Sequence, residues 1–194
     1  MSNVQAPALW RSKNLRTMVT CAILIAMGTV LSLLKVWEMP LGGSVTPLSM
    51  LPICLAGLMF GAKWGFGTAF VYSVLQLLTS SVFAWGLTPV VLVVAILFDY
   101  IVAFSVLGVT GFFAKRGKWW MILGIFIAIL LRMVCHYITG VTIWKSSMPE
   151  DWNNVWLYSL AYNGAYMLPE TVFTMAGTFA LLSVPRFVKL IKGE

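Results

Sequence analysis

Residues 88–118 read TPVVLVVAILFDYIVAFSVLGVTGFFAKRGK, and this stretch decides the fold. From Thr88 to Ala114 it carries one charged residue, Asp99, and it stops at Lys115, Arg116 and Lys118. A helix of about 20 apolar residues spans the hydrocarbon core of a bilayer, and a basic cluster at its end is a juxtamembrane anchor. Comparable apolar runs lie at about 17–34, 48–62, 64–83, 119–144 and 156–184. The prediction is an all-α membrane protein of six transmembrane helices. It forms a single integral domain over residues 1–194, with an N-terminal segment 1–16, spans over about 17–184 and a tail 185–194. The second run is short and fenced by Pro47 and Pro52. Between the first two runs, Trp37-Glu38-Met39-Pro40-Leu41-Gly42-Gly43-Ser44 reads as a structured loop, because its glycines and proline oppose a helix.

Composition leads to the same class. Of the 194 residues 60% are apolar and 10% charged, against about 25% charged in a soluble domain, so water cannot be the solvent for most of the surface. The net charge of +7 is spread over short clusters between apolar runs, which points to a lipid bilayer as partner and not to nucleic acid. Three cysteines, Cys21, Cys54 and Cys135, sit inside apolar runs without CxxC or Cys/His spacing, so neither a disulfide framework nor a metal site is expected. The first run follows basic residues, as a signal peptide does, but it is too long and lacks a small-residue cleavage site. It reads as an uncleaved span. No GxxxxGK[ST] loop is present, so any ATP-driven step needs another subunit. No cofactor is called for.

The basic residues set a predicted orientation. Arg11, Lys13, Arg16, Lys63, Lys115, Arg116, Lys118, Arg186, Lys189 and Lys192 fall on one side of the bundle. The other side holds Lys35 and Lys145 with Glu38, Glu150 and Asp151. The excess of Lys and Arg places both termini in the cytoplasm.

Ionisable groups inside a membrane are costly and mark sites by default. Four are found: Asp99, Arg132, His136 and Glu170. At a rise of about 1.5 Å per residue, Asp99, His136 and Asn163 fall roughly 10–16 Å below the outer surface and so share one layer. Arg132 and Glu170 fall roughly 20 Å down and are expected to form a structural ion pair. His136, Gly140 and Trp144 recur every four residues and share a helix face. The glycine there leaves an expected slot for a flat ring, with Asp99 as counter-charge and Tyr100, Tyr158, Tyr162, Asn163 and Tyr166 as orienting polar groups. Taken singly, a lone helical His most often bonds to a neighbouring helix, and a Trp near a helix end most often belongs to the interfacial belt. Trp64, Trp119 and Trp120, beside basic loops, read as such anchors.

The segments Leu97-Phe98-Asp99-Tyr100-Ile101-Val102-Ala103-Phe104, Leu131-Arg132-Met133-Val134-Cys135-His136-Tyr137-Ile138-Thr139-Gly140 and Leu157-Tyr158-Ser159-Leu160-Ala161-Tyr162-Asn163-Gly164 resemble, in order and spacing, the signatures of the thiamine-specific S components of energy-coupling factor (ECF) transporters. The resemblance covers most of the chain. It implies an S-component bundle in a prokaryotic cell membrane that is not an enzyme. Its partners would be thiamine or a close analogue, a membrane scaffold protein and two ABC-type ATPases. It further implies that Asp99 and Tyr100 occupy the positions of the family's carboxylate and its neighbouring tyrosine, that His136, Gly140 and Trp144 form the fifth helix's pocket face, and that Tyr158 and Asn163 belong to the sixth. Where the family carries aromatics at the outer loop and before the acid, this chain has Gly43 and Pro89. Trp37 and Trp85 are therefore the candidates for the lid. Ala22 and Ala26 form an AxxxA pattern that in similar S components docks on the scaffold protein; on spacing alone, packing within the bundle is an equal reading. Gly57xxxGly61 and Gly61xxxGly65 read as internal packing. Two other functions stay open at this point: an S component for another flat nitrogen heterocycle, such as a thiamine precursor or B6 vitamer, and an intramembrane enzyme using Asp99 and His136 as an acid/base pair.

Overall fold

A computed structural model describes residues 13–193; Arg11 and the rest of the first twelve residues, which the sequence reading uses for topology, lie outside them. Each predicted apolar run forms a helix. They are α1 (Lys13–Leu33), α2 (Leu51–Phe60), α3 (Ala62–Leu78), α4 (Pro89–Phe113), α5 (Lys118–Thr142) and α6 (Val155–Leu182), followed by a short α7 (Pro185–Lys192). By length and composition α1, α3 with the turn that extends it to Ala84, α4 and α5 are fit to cross a bilayer, and α6 joins them when taken with α7, to which it is bent by 93°. The ten residues of α2 give only about 15 Å of rise, half a hydrocarbon core. This helix is instead the centre of the bundle, with every residue from Leu51 to Leu58 buried.

The loop after α1 is a two-stranded antiparallel hairpin in which β1 (Trp37–Glu38) pairs with β2 (Ser44–Val45) across a 3₁₀ turn at Pro40–Gly42. The chain then enters α2 through Leu48, whose φ of 65° marks a sharp corner. Gly61, at φ 85°, separates α2 from α3, a conformation any side chain would strain. Glycines also let helices touch. Gly57 of α2 lies against Thr110 and Gly111 of α4, and a Cβ on Gly65 of α3 would stand 2.8 Å from the Cα of Gly57. Both small-residue patterns read as internal packing in the sequence therefore serve that purpose. Tyr72, Met50, Ile53, Leu107, Ile125 and Met167 fill the core around this contact. On α1, Cys21, Leu24 and Gly28 face the bundle, while Ala22 and Ala26 are exposed on the opposite side. The alanines do not take part in packing within the bundle.

One irregularity positions the site. Helix α4 begins as an α-helix at Pro89–Ala95, widens into π-helical turns over Ile96–Val102 and tightens to 3₁₀ geometry from Val106. Asp99 sits in the π-helical segment, a distortion frequent at functional sites.

Candidate functional site

A cavity of about 370 Å³ opens at the hairpin end of the bundle and runs down between α3, α4, α5 and α6. It falls at the lower end of the range for small-molecule sites. Its polar centre is Asp99, whose side chain is 12% exposed. Oδ2 accepts from the Trp144 indole N–H at 2.8 Å, and Oδ1 accepts from His136 Nδ1–H at 3.0 Å and from the Thr139 hydroxyl. Two donors from α5 and one from the turn that follows it thus hold a carboxylate on α4, and satisfied buried charge of this kind is rigid. Trp144 is turned inward, not into an interfacial belt. His136 Nε2 is buried and makes no hydrogen bond.

Aromatic rings form the other walls. Trp85 meets Trp144 edge to face with centroids 5.5 Å apart. Along α6, Tyr158, Tyr162 and Tyr166 repeat every four residues with 6.0 Å between successive centroids, and Tyr166 continues to His136 at 6.2 Å. The start of α6 that sets this register is fixed by Asn154, whose side chain accepts from the backbone N–H groups of Trp156 and Leu157. Tyr162 also ties the hairpin down: its hydroxyl donates to the Pro40 carbonyl and accepts from Gly43 N–H at 3.2 Å. Gly43 is close enough to this ladder that a Cβ would stand 2.8 Å from Tyr166.

Of the residues singled out in the sequence, Asp99, Tyr100, His136, Gly140, Trp144, Tyr158, Asn163 and Trp85 all line this cavity. The layer expected to hold Asp99, His136 and Asn163 is formed, since Asn163 Nδ2 donates to the His136 carbonyl at 3.2 Å. Three expectations are corrected. Trp37 does not line the cavity; it lies on the outer strand of the hairpin and is 55% exposed. Gly140 opens no slot for a ring, because the space where its Cβ would point is filled by the Ser159 hydroxyl, which donates to the Tyr137 carbonyl. The glycine instead lets α5 and α6 touch. Arg132 and Glu170 form no ion pair, because each is engaged by the segment that follows the hairpin. The guanidinium of Arg132 lies on the Phe104 face at 4.3 Å and donates to Met50 Sδ at 2.9 Å. The Glu170 carboxylate, 1% exposed, accepts from the backbone N–H and hydroxyl of Thr46.

Asn163 also plays a different part from the one expected. Its amide donates to Ser159 and its oxygen accepts from Tyr166 at 2.8 Å, so it braces α5, α6 and the ladder more than it presents polar atoms to the cavity. Thr139, Gln76 and Arg132 line the cavity without having been selected as site residues. Thr139 was findable, because it stands three residues after His136 on the same helix face. Among the described residues no group of three or more His, Cys, Asp and Glu is placed to hold a metal ion.

Comparison with known proteins follows the same lines as the geometry. Residues 18–188 match the family described as Thiamine transporter protein (Thia_YuaJ). The chain is 32% identical to "Thiamine transporter ThiT" of Bacillus subtilis (strain 168), over 92% of this chain and 97% of that protein. It is 27% identical to "Thiamine transporter ThiT" of Lacticaseibacillus paracasei, over 70% and 71%. A solved structure of ThiT from Listeria monocytogenes shares the fold, with a TM-score of 0.74 and 24% identity over 91% of this chain and 99% of that one.

Proposed function

This chain belongs to the thiamine transporter family, and we propose that it is the S component of an ECF transporter, capturing thiamine in the cavity beneath its hairpin. It is a multi-pass membrane protein of a transport family, not an enzyme. The contact between Asp99 and His136 therefore reads as part of a binding site, not as an acid/base pair.

The observation that carries the reading is a carboxylate fixed by three donors inside an aromatic-lined cavity. Thiamine joins a permanently cationic thiazolium to a flat aminopyrimidine. Asp99 supplies the opposite charge, and the indole of Trp144 offers a face on which a cationic ring gains about 0.5–2 kcal/mol. The Tyr158–Tyr162–Tyr166 ladder gives the second ring an apolar wall with hydroxyls along it. The hairpin, tied by Tyr162 to α6, forms the rim of the outer opening.

Energy comes from elsewhere. The chain has no phosphate-binding loop, so release into the cell is driven by a membrane scaffold protein and two ATPases. Ala22 and Ala26, exposed on α1, form a small-residue stripe on which a scaffold helix can approach closely. Both termini face the cytoplasm of a prokaryotic cell, with the cavity opening outward.

The test is a titration of the purified chain with thiamine, its phosphates and its pyrimidine half, followed by tryptophan fluorescence and calorimetry. Trp85 and Trp144 stand at the cavity wall, so thiamine binding alters the emission. No heat and no spectral change with thiamine refutes the assignment. Tighter binding of the pyrimidine half than of the whole vitamin would move it to a precursor.

A further inference from the structure

The end of the bundle opposite the cavity carries a feature that the cavity does not use. After Leu182 the chain turns by 93° into α7, which Pro185 opens at its first position. One side of α7 closes the core: Ile191 is buried, and Phe187 and Val188 pack beside it. The other side bears exposed Arg186 and Lys189, with Leu190 59% exposed beside Arg186. The basic loop between α4 and α5 is drawn to the same place, because Lys118 Nζ donates to Ser183 Oγ at 2.9 Å and lies 4.2 Å from the Phe179 ring. Two basic stretches some 70 residues apart, 115–118 and 186–192, thus become one surface. Among the described residues neither stretch contains an acid: Glu38, Glu150 and Asp151 lie in the loops of the other end, and Asp99 and Glu170 lie inside.

We propose that this surface binds the headgroup of an anionic phospholipid in the leaflet it faces, the phosphodiester resting among Lys118, Arg186 and Lys189. The proposal is independent of what the cavity holds. Gathered like charges repel unless an anion lies between them. The surroundings say which anion. Leu190, Trp119, Trp120 and Phe179 are exposed around the cations, and an amphipathic helix with basic and apolar residues on one open side lies in the plane of a membrane interface. An acidic soluble partner would match the charge but leave those side chains in water. A zwitterionic lipid would cover them but leave the charge uncompensated.

The experiment uses the whole chain in detergent micelles doped with equal phosphatidylglycerol and phosphatidylcholine, with bound lipid counted by native mass spectrometry. The parent retains phosphatidylglycerol preferentially. Lys115→Gln, Lys118→Gln, Arg186→Gln and Lys189→Gln together abolish the preference, each lost charge weakening retention about fivefold at low salt. Exchange of Lys and Arg at the same four positions retains it. Far-ultraviolet circular dichroism and thermal unfolding, read on the same samples, report that the variants are folded. Equal retention of the two lipids by the parent, or an undiminished preference in the fourfold Gln variant, overturns the proposal. So does full competition by millimolar inorganic phosphate, which would make this a site for a free anion. A fourfold variant that keeps its lipid preference and loses assembly with partner subunits would overturn it in favour of a protein-docking surface.

Discussion

Replacing Asp99 by Asn removes the charge and keeps the shape. In the parent, Oδ1 and Oδ2 together accept from His136, Thr139 and Trp144. An asparagine can keep its oxygen toward the Trp144 indole and turn its amide toward His136 and Thr139, with the imidazole switching to its Nε2–H tautomer so that Nδ1 accepts. Thr139 loses little, because its hydroxyl already lies 3.0 Å from the His136 carbonyl. The fold should therefore hold, with a stability cost of about 1 kcal/mol. Binding is a different matter. A thiazolium about 4 Å from a carboxylate gains about 4 kcal/mol at an effective dielectric near 20. Roughly half of this is offset by stripping water from the cation and by the indole face that remains, leaving about 2 kcal/mol, or about thirtyfold in Kd. Calorimetry with thiamine and with its uncharged aminopyrimidine half separates charge from shape, since only thiamine should lose the full factor. An Asp99→Asn protein that binds thiamine within twofold of the parent refutes the charge argument. Equal losses for both ligands do the same, by showing that the substitution reshaped the cavity.

Four further outcomes follow from the geometry. Gly140→Ala should lower the melting temperature by several degrees, because its Cβ meets Ser159, and adding Ser159→Ala should recover part of the loss in a thermal unfolding assay. Tyr162→Phe removes both ties to the hairpin; at about 1 kcal/mol per hydrogen bond, stopped-flow fluorescence should show ligand leaving five- to thirtyfold faster. Trp85→Ala should weaken thiamine binding at least tenfold, whereas Trp37→Ala should change it less than twofold, since only Trp85 lines the cavity. Ala22→Leu with Ala26→Leu should leave thiamine affinity unchanged and abolish co-purification with the scaffold protein, because both residues face away from the bundle.

The parts legible in the sequence are those governed by simple periodicity. Apolar runs ending at basic clusters located the helices, since a bilayer imposes both their length and their ends. The four-residue spacing of His136, Gly140 and Trp144 put them on one face, and depth counted from the loops brought Asp99 and Asn163 to the same layer. What stayed hidden depends on contacts between segments distant in the chain. Opposite charges at equal depth on α5 and α6 looked like a pair, but the corner at Thr46–Met50 supplies partners to both Arg132 and Glu170. No helical spacing announces a segment that wedges in from elsewhere. Gly140 looked like room for a ligand because spacing along one helix says nothing of the Ser159 on the next. Trp37 and Trp85 were indistinguishable as outer-loop tryptophans until the pairing of Trp37 with Val45 placed the first on the hairpin's outer strand.

The wide turns around Asp99 also set how this binding protein can be disabled. Segment Ile96–Val102 holds more residues per turn than the helix on either side. A single-residue deletion just after Asp99 that restored regular winding would keep the flanking turns close to their present facing and turn Asp99 itself away from its present direction. The acid would then be aimed at the hydrocarbon or at a neighbouring backbone, although every residue of the cavity wall still stood in the chain. Relatives that differ in length at this point can thus gain or lose their ligand through a change of phase alone, which comparison of wall residues by identity would not reveal.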